Sequence, residues 1–302
     1  MFSSARSTVK HPLSRVFGLI TGYLVCFWFM RLAFLTVVAY IVVRTADSSQ
    51  NALQKIGDMA RANQSLVTGF SALLFVVFLQ ILQPLTRTSF KQVFNFKELK
   101  RVFAPNALSG LILTAVMIAG TMLGGHMSYL GIYMRFDEVA LAFVSATIFG
   151  GSLFAQMIVE EYMFRDALEP RLSDSMGALA AVAVSSLLYL AVKYVQYDLS
   201  WIQAGNLVLL NFTFSMIARS EKTYMASAAF ASTFMILSHL FFGLPLMGQD
   251  MPGILLLRAS SDDGLGSLLS GGDQGPEAGL VLTVLLFIYL YLPQIRSKKV
   301  EV

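Results

Sequence analysis

The chain reads as an all-α polytopic membrane protein, a bundle of about eight transmembrane helices, and three observations say so. Hydrophobic residues make up 56% and charged residues only 13% of its 302 positions, a balance that a soluble core of this size does not need. Eight apolar runs are long enough to cross about 30 Å of hydrocarbon or nearly so. The Lys and Arg residues gather in alternate connections, the mark of membrane topology.

The first run, residues 16–43, is too long for the apolar region of a signal peptide and is followed by no small-residue cleavage site. It reads as a retained span. Cys26, the single cysteine, lies inside it, so no disulfide within the chain is expected. Arg31 sits alone in the same run and is expected to pair within the bundle. Runs 66–85 and 107–123 follow, and then 139–159, twenty-one residues without Asp, Glu, Lys, Arg or His. Residues 166–177 carry Pro170 and end on Gly177, which is turn chemistry before the run 178–195. Runs 201–218, 224–246 and a short one at 280–292 complete the set. Between the last two, residues 259–279 are rich in Gly, Ser and Asp and read as a flexible extracytoplasmic loop. With no internal repeat and no soluble domain, residues 1–302 form a single integral membrane domain.

With the N-terminus inside, the cytoplasmic segments hold Arg6, Lys10, Arg15, Arg87, Lys91, Lys97, Lys100, Arg101, Arg165, Arg171, Arg219, Lys222, Arg296, Lys298 and Lys299. The opposite side holds Arg44, Lys55, Arg61, Arg135, Lys193 and Arg258. Both termini are therefore expected in the cytoplasm. The formal charge of +4 is accounted for by topology signals and calls for no nucleic acid; the expected surroundings are a lipid bilayer.

Glu160 and Glu161 close the run 139–159, and Arg165 follows four residues after Glu161. Two carboxylates at such depth cost about 2.5 to 3.5 kcal/mol each on insertion scales, so they need partners and mark a site. A helical hairpin turning near Met176 sets opposite one another residues whose numbers sum to about 353, which brings Lys193 to Glu160. In the seventh run His239 stands about sixteen residues beyond the basic turn at 219–222, roughly 24 Å along a helix. The same depth holds Glu160. Glu160, Glu161, Lys193 and His239 are thus expected in one layer, with Glu161 and Arg165 as an i,i+4 pair.

These residues resemble the motifs of the CPBP intramembrane proteases, the family of type II CAAX prenyl endopeptidases and bacterial Abi-type immunity proteins. Its first motif, Glu-Glu-x-x-x-Arg, stands intact at Glu160, Glu161 and Arg165. Its second, an aromatic followed four residues later by His, is matched by Tyr189 but has Lys193 in the histidine position. Its third, His followed four residues later by Asn or a similar residue, has His239 with Gly243. The resemblance covers residues 139–243, a CPBP-like core.

The resemblance implies an endopeptidase, a hydrolase acting on a membrane-associated protein or peptide in a bacterial inner membrane. Glu160 would activate water, Glu161 and Arg165 would support it, and His239 would polarise the water or the oxyanion. Lys193 can donate to an oxyanion but cannot ligate a metal or accept a proton while charged. Two carboxylates and one imidazole beside an ammonium do not make a catalytic zinc site, so neither metal nor other cofactor is expected. His126, after Gly124 and Gly125, is the remaining candidate for a missing histidine, although its place suggests a solvated turn. Two further readings stand beside the enzyme. One is a catalytically inactive pseudoprotease that binds a membrane protein or peptide as scaffold or immunity factor. The other is a proton-coupled transporter, which the absence of a repeated half disfavours.

Overall fold

The computed structural model describes residues 13–45, 55–56, 64–81, 90–132, 139–248, 251, 253–259 and 264–298. The topology signals expected from Arg6, Lys10, Arg61, Arg87, Arg135 and Lys299, and the end of the second apolar run at 82–85, lie outside these residues. Most of the described residues are helical. In order come α1 (Leu13–Thr45), α2 (Gln64–Ile81), α3 (Phe96–Leu123), β1 (Met127–Ile132) and α4 (Val139–Glu161). A π-helical segment, Tyr162–Leu168, leads to α5 (Glu169–Met176), α6 (Ala178–Gln196), α7 (Trp201–Ser220) and α8 (Tyr224–Met235). A second π-helical segment, Ile236–Phe241, precedes β2 (Leu255–Ala259), α9 (Gly264–Ser270) and α10 (Leu280–Lys298).

Among the described residues, five helical stretches are long and apolar enough to cross a membrane: Val16–Val42, Phe96–Leu123, Ala178–Gln196, Trp201–Ser220 and Tyr224–Phe241. Two shorter apolar helices, Val67–Ile81 and Leu280–Tyr291, accompany them. An all-α polytopic bundle is therefore the architecture.

Local chemistry sets the ends. Asn95 caps α3 by accepting the Glu98 N–H on its side chain at 3.3 Å. Ser200 and Gln203 form a reciprocal capping box at the start of α7. Pro170 occupies the first turn of α5, where its missing N–H is not needed. Gly177, at φ 83°, then turns the chain into α6, a conformation open to glycine at little cost.

Residues 166–176, expected as a turn, are therefore helical, and the hairpin turns at Gly177 alone. The seventh run also departs from expectation, since its helix stops at Phe241 and 242–246 form no helix. Residues 259–279 were expected to be a flexible loop; 264–278 instead fold into α9 and two single turns of 3-10 helix. Glycines mark close packing there as readily as flexibility, and composition does not separate the two. The small sheet was also not foreseen: β1 pairs antiparallel with β2, Met127 opposite Ala259 and Ile132 opposite Leu255, with a bulge between Tyr129 and Gly131.

Helix α8 is the centre of the bundle. Its residues from Tyr224 to Ser232 are all buried, and five of the run Ala226, Ser227, Ala228, Ala229, Phe230 and Ala231 are small, which lets neighbouring backbones approach. α3 takes advantage at Gly110, where a Cβ would lie 2.7 Å from the Phe230 carbonyl oxygen. α1 lies at the margin, packed on α2, with Phe17, Trp28, Phe29 and Tyr40 exposed as a lipid-facing surface requires. Arg31 lies 5.3 Å over the Trp28 ring of its own helix. Tyr23 and Phe27, on the other face of α1, are fully buried.

Gly110→Ala should lower the thermal unfolding midpoint of the detergent-purified protein, at a cost of about 1–3 kcal/mol for overpacking. Gly18→Ala, where a Cβ would meet nothing within 4 Å, should leave the midpoint unchanged.

Candidate functional site

Glu160 lies in the last turn of α4 and Lys193 in the last turn of α6. Lys193 Nζ donates to Glu160 Oε1 at 2.7 Å, the register expected of a hairpin turning near Met176. The two side chains are 0% and 1% exposed. Glu160 Oε1 also accepts from Gln156 Nε2 at 2.9 Å and from the Tyr23 hydroxyl of α1 at 3.3 Å. Its Oε2 accepts from the Tyr189 hydroxyl at 3.3 Å. The ammonium of Lys193 stands 5.3 Å from the Tyr189 ring centroid and 5.7 Å from that of Tyr197, so two aromatic faces add to its solvation. A buried pair is tolerated only when its remaining lone pairs and protons are satisfied, and here α1, α4 and α6 all contribute.

Glu161 and Arg165 belong to a different network. Arg165 Nη2 lies 3.5 Å from Glu161 Oε1, but its shorter bond, 2.6 Å, goes to Asn211 Oδ1 on α7. Asn211 Nδ2 in turn donates to Ser186 Oγ of α6 at 2.7 Å. Glu169 continues the network, accepting from Ser215 Oγ at 2.7 Å and lying 2.6 Å from Arg219 Nη2. Arg219 also donates to the Ala178 carbonyl at the start of α6. This second network therefore fastens α5, α6 and α7 together.

His239 lies in the π segment after α8 and makes its contacts elsewhere. Its Nδ1 is 3.0 Å from the Leu244 carbonyl oxygen and its Nε2 is 2.7 Å from Glu277 Oε1; His239 and Glu277 are both 0% exposed. A carbonyl oxygen only accepts, so Nδ1 carries a hydrogen. Nε2 and Glu277 then share one proton, as imidazolium and carboxylate or as imidazole and carboxylic acid. The Tyr197 hydroxyl donates to Thr68 Oγ1 at 3.3 Å.

The layer expected from the sequence is thus divided. Glu160 and Lys193 meet, Glu161 and Arg165 turn into the α7 network, and His239 is taken by Glu277. His126 lies in the turn after α3, where its backbone N–H donates to the Thr121 carbonyl. Among the described residues no three His, Cys, Asp or Glu side chains come together as a metal site. Sequence reasoning missed Tyr23, Gln156, Glu169, Asn211 and Glu277. Gln156 had a signal, an amide one turn before Glu160 in a run without charged residues; Glu277 had none, lying in a stretch whose composition reads as loop.

Gly243 holds the position where the third motif has a polar side chain, and the backbone explains the loss. It adopts φ 64°, and a Cβ on it would lie 3.0 Å from Gly253 Cα. The chain crosses itself there: a Cβ on Gly253 would lie 2.2 Å from Gly243 Cα. Gly243→Asn should therefore lower the unfolding midpoint by the equivalent of about 1–3 kcal/mol, and Gly253→Ala should lower it further, both read by thermal unfolding in detergent.

Residues 142–232 match the family described as type II CAAX prenyl endopeptidase Rce1-like. The match contains Glu160, Glu161, Arg165, Tyr189 and Lys193 and stops short of His239 and Glu277. No curated protein and no solved structure matches the chain. With the first motif intact inside the matched stretch and set in a helical membrane bundle, residues 142–232 are similar to a domain of the type II CAAX prenyl endopeptidase Rce1-like kind.

Proposed function

We propose that this chain is a non-hydrolysing member of the CAAX-protease type, in which Glu160 and Lys193 form a structural clasp, and that it acts by binding a membrane-associated protein or peptide. The observation that carries this reading is the direct Lys193–Glu160 contact of 2.7 Å between side chains that are 0% and 1% exposed. A general base needs a lone pair turned towards a water. Glu160 Oε1 has three donors and Oε2 a fourth, one of them an ammonium. His239, the other residue the family uses on water or oxyanion, has both ring nitrogens engaged. Placement in a bacterial inner membrane with both termini cytoplasmic belongs to the same proposal.

One observation favours the alternative, an intramembrane endopeptidase with Glu160 activating water. The carboxylate of Glu277 on His239 Nε2 is the kind of partner that orients a working histidine. A protease would then require Lys193 to leave Glu160 when substrate arrives.

The test is cleavage of membrane peptides, prenylated and unprenylated, by the protein reconstituted in lipid vesicles. Wild type and Lys193→His should both leave the peptides intact; cleavage by wild type that disappears in Glu160→Gln would overturn the proposal in favour of the protease. Stability gives the second readout. Glu160→Gln deprives a buried ammonium of its counter-charge and should cost on the order of 3 kcal/mol. The double variant Glu160→Gln, Lys193→Met should recover much of that loss, a coupling that a double-mutant cycle on unfolding midpoints measures.

A further inference from the structure

Residues 271–279 read Gly-Gly-Asp-Gln-Gly-Pro-Glu-Ala-Gly, and the bundle holds them mainly by their backbone. Gln203 Nε2 of α7 donates to the Gln274 carbonyl at 2.9 Å. One turn on, Asn206 Nδ2 donates to the carbonyls of Glu277 at 2.7 Å and Gly279 at 3.0 Å. The Gly248 N–H donates to the Gln274 carbonyl at 2.9 Å. The charged contact is the Glu277 carboxylate on His239 Nε2. Side-chain amides on spaced backbone carbonyls, with one ionic anchor, are a means by which a protein holds a peptide ligand.

The occupant fits imperfectly. Glu277 Oε2 is buried without a hydrogen-bond partner, and so is Ser238 Oγ beside His239. A half-satisfied buried carboxylate is costly, and such a contact is weaker than the site can offer. The segment's own packing is tight at its glycines: a Cβ on Gly275, at φ +93°, would lie 2.0 Å from the Pro245 carbonyl oxygen.

We propose that Gln203, Asn206 and His239 form a binding site for a short acidic peptide, and that residues 271–279 fill it in cis as a pseudosubstrate. The proposal rests on the binding reading above and gives it a ligand chemistry: a slender, glycine-rich chain with one of its two carboxylates, that of Glu277, on His239 while its carbonyls meet the two α7 amides. A partner carrying such a segment competes with the chain's own.

Gly275→Ala displaces the segment while leaving Gln203, Asn206 and His239 untouched. The probe is a fluorescent, end-capped peptide of residues 271–280, titrated into the full chain in detergent and followed by anisotropy. It should bind Gly275→Ala at least tenfold more tightly than wild type, and at least tenfold more weakly when its glutamate is replaced by glutamine or when His239→Gln is added to the protein. Displacement is read separately by maleimide reactivity of Ala278→Cys in a Cys26→Ser background, which should rise at least tenfold with Gly275→Ala. If Gly275→Ala fails to fold, Glu277→Ala keeps the backbone and should raise the same reactivity and admit the peptide. Reactivity that stays at the wild-type level in every folded variant would show the segment to be fixed core and would overturn the proposal. So would a displaced segment whose place the peptide does not take. Cleavage of a membrane peptide by wild type would sink the non-hydrolysing reading but not this site, whose readout is binding.

Discussion

The Glu160–Lys193 pair is the constraint on which the arrangement of α1, α4 and α6 depends. Each ion alone, buried as these are, would cost several kcal/mol, and the two side chains are 0% and 1% exposed. The bundle therefore has to deliver the two to one another and then satisfy what remains of each. Gln156 does so from within α4, Tyr189 from one turn before Lys193, and Tyr23 from α1. Tyr23 also gives α1 a reason to stay: most of that helix faces outward, and its hydroxyl ties it to the polar centre. Either charge is stable only because of the other, so the pair changes together or at a cost.

Adjacent glutamates serve two different networks. Glu160 belongs to α1, α4 and α6, whereas Glu161 looks towards Arg165 and, through Asn211 and Ser186, towards α6 and α7. Arg165 is thereby a structural tie whatever becomes of the chemistry next to it. Glu169 and Arg219 extend the tie to the start of α6. The first motif therefore has a structural role of its own, because it also holds three helices in place.

Much of the bundle and part of the centre were legible in the sequence, and the reasons differ by residue. The run 139–159 and the turn before 178 fix a hairpin, and a hairpin fixes the pairing of Glu160 with Lys193 by arithmetic alone. Tyr23 was hidden because it stands 137 positions from its partner, and no local pattern sets the rotation of one apolar helix against another. The helical rise expected for His239 sets a depth, and depth does not say which way a ring points. Glu277 was hidden for a third reason. Glycines crowd residues 271–279 because backbones meet there, and a close crossing has the same composition as a loose loop. The pairing of β1 with β2 likewise joins segments too far apart for a turn signal to announce.

The two π-helical segments stand at the first and third of the three motif positions, Tyr162–Leu168 around Arg165 and Ile236–Phe241 around His239. A single π turn amounts to one extra residue accommodated in an α-helix. Its omission would rotate everything downstream by about 100° relative to what precedes it. In the first segment that rotation would swing Glu169 off Arg219 and carry Gly177, with all of α6, out of phase with α4. A helix one residue shorter between residues 162 and 168 would therefore need a different partner for Glu160.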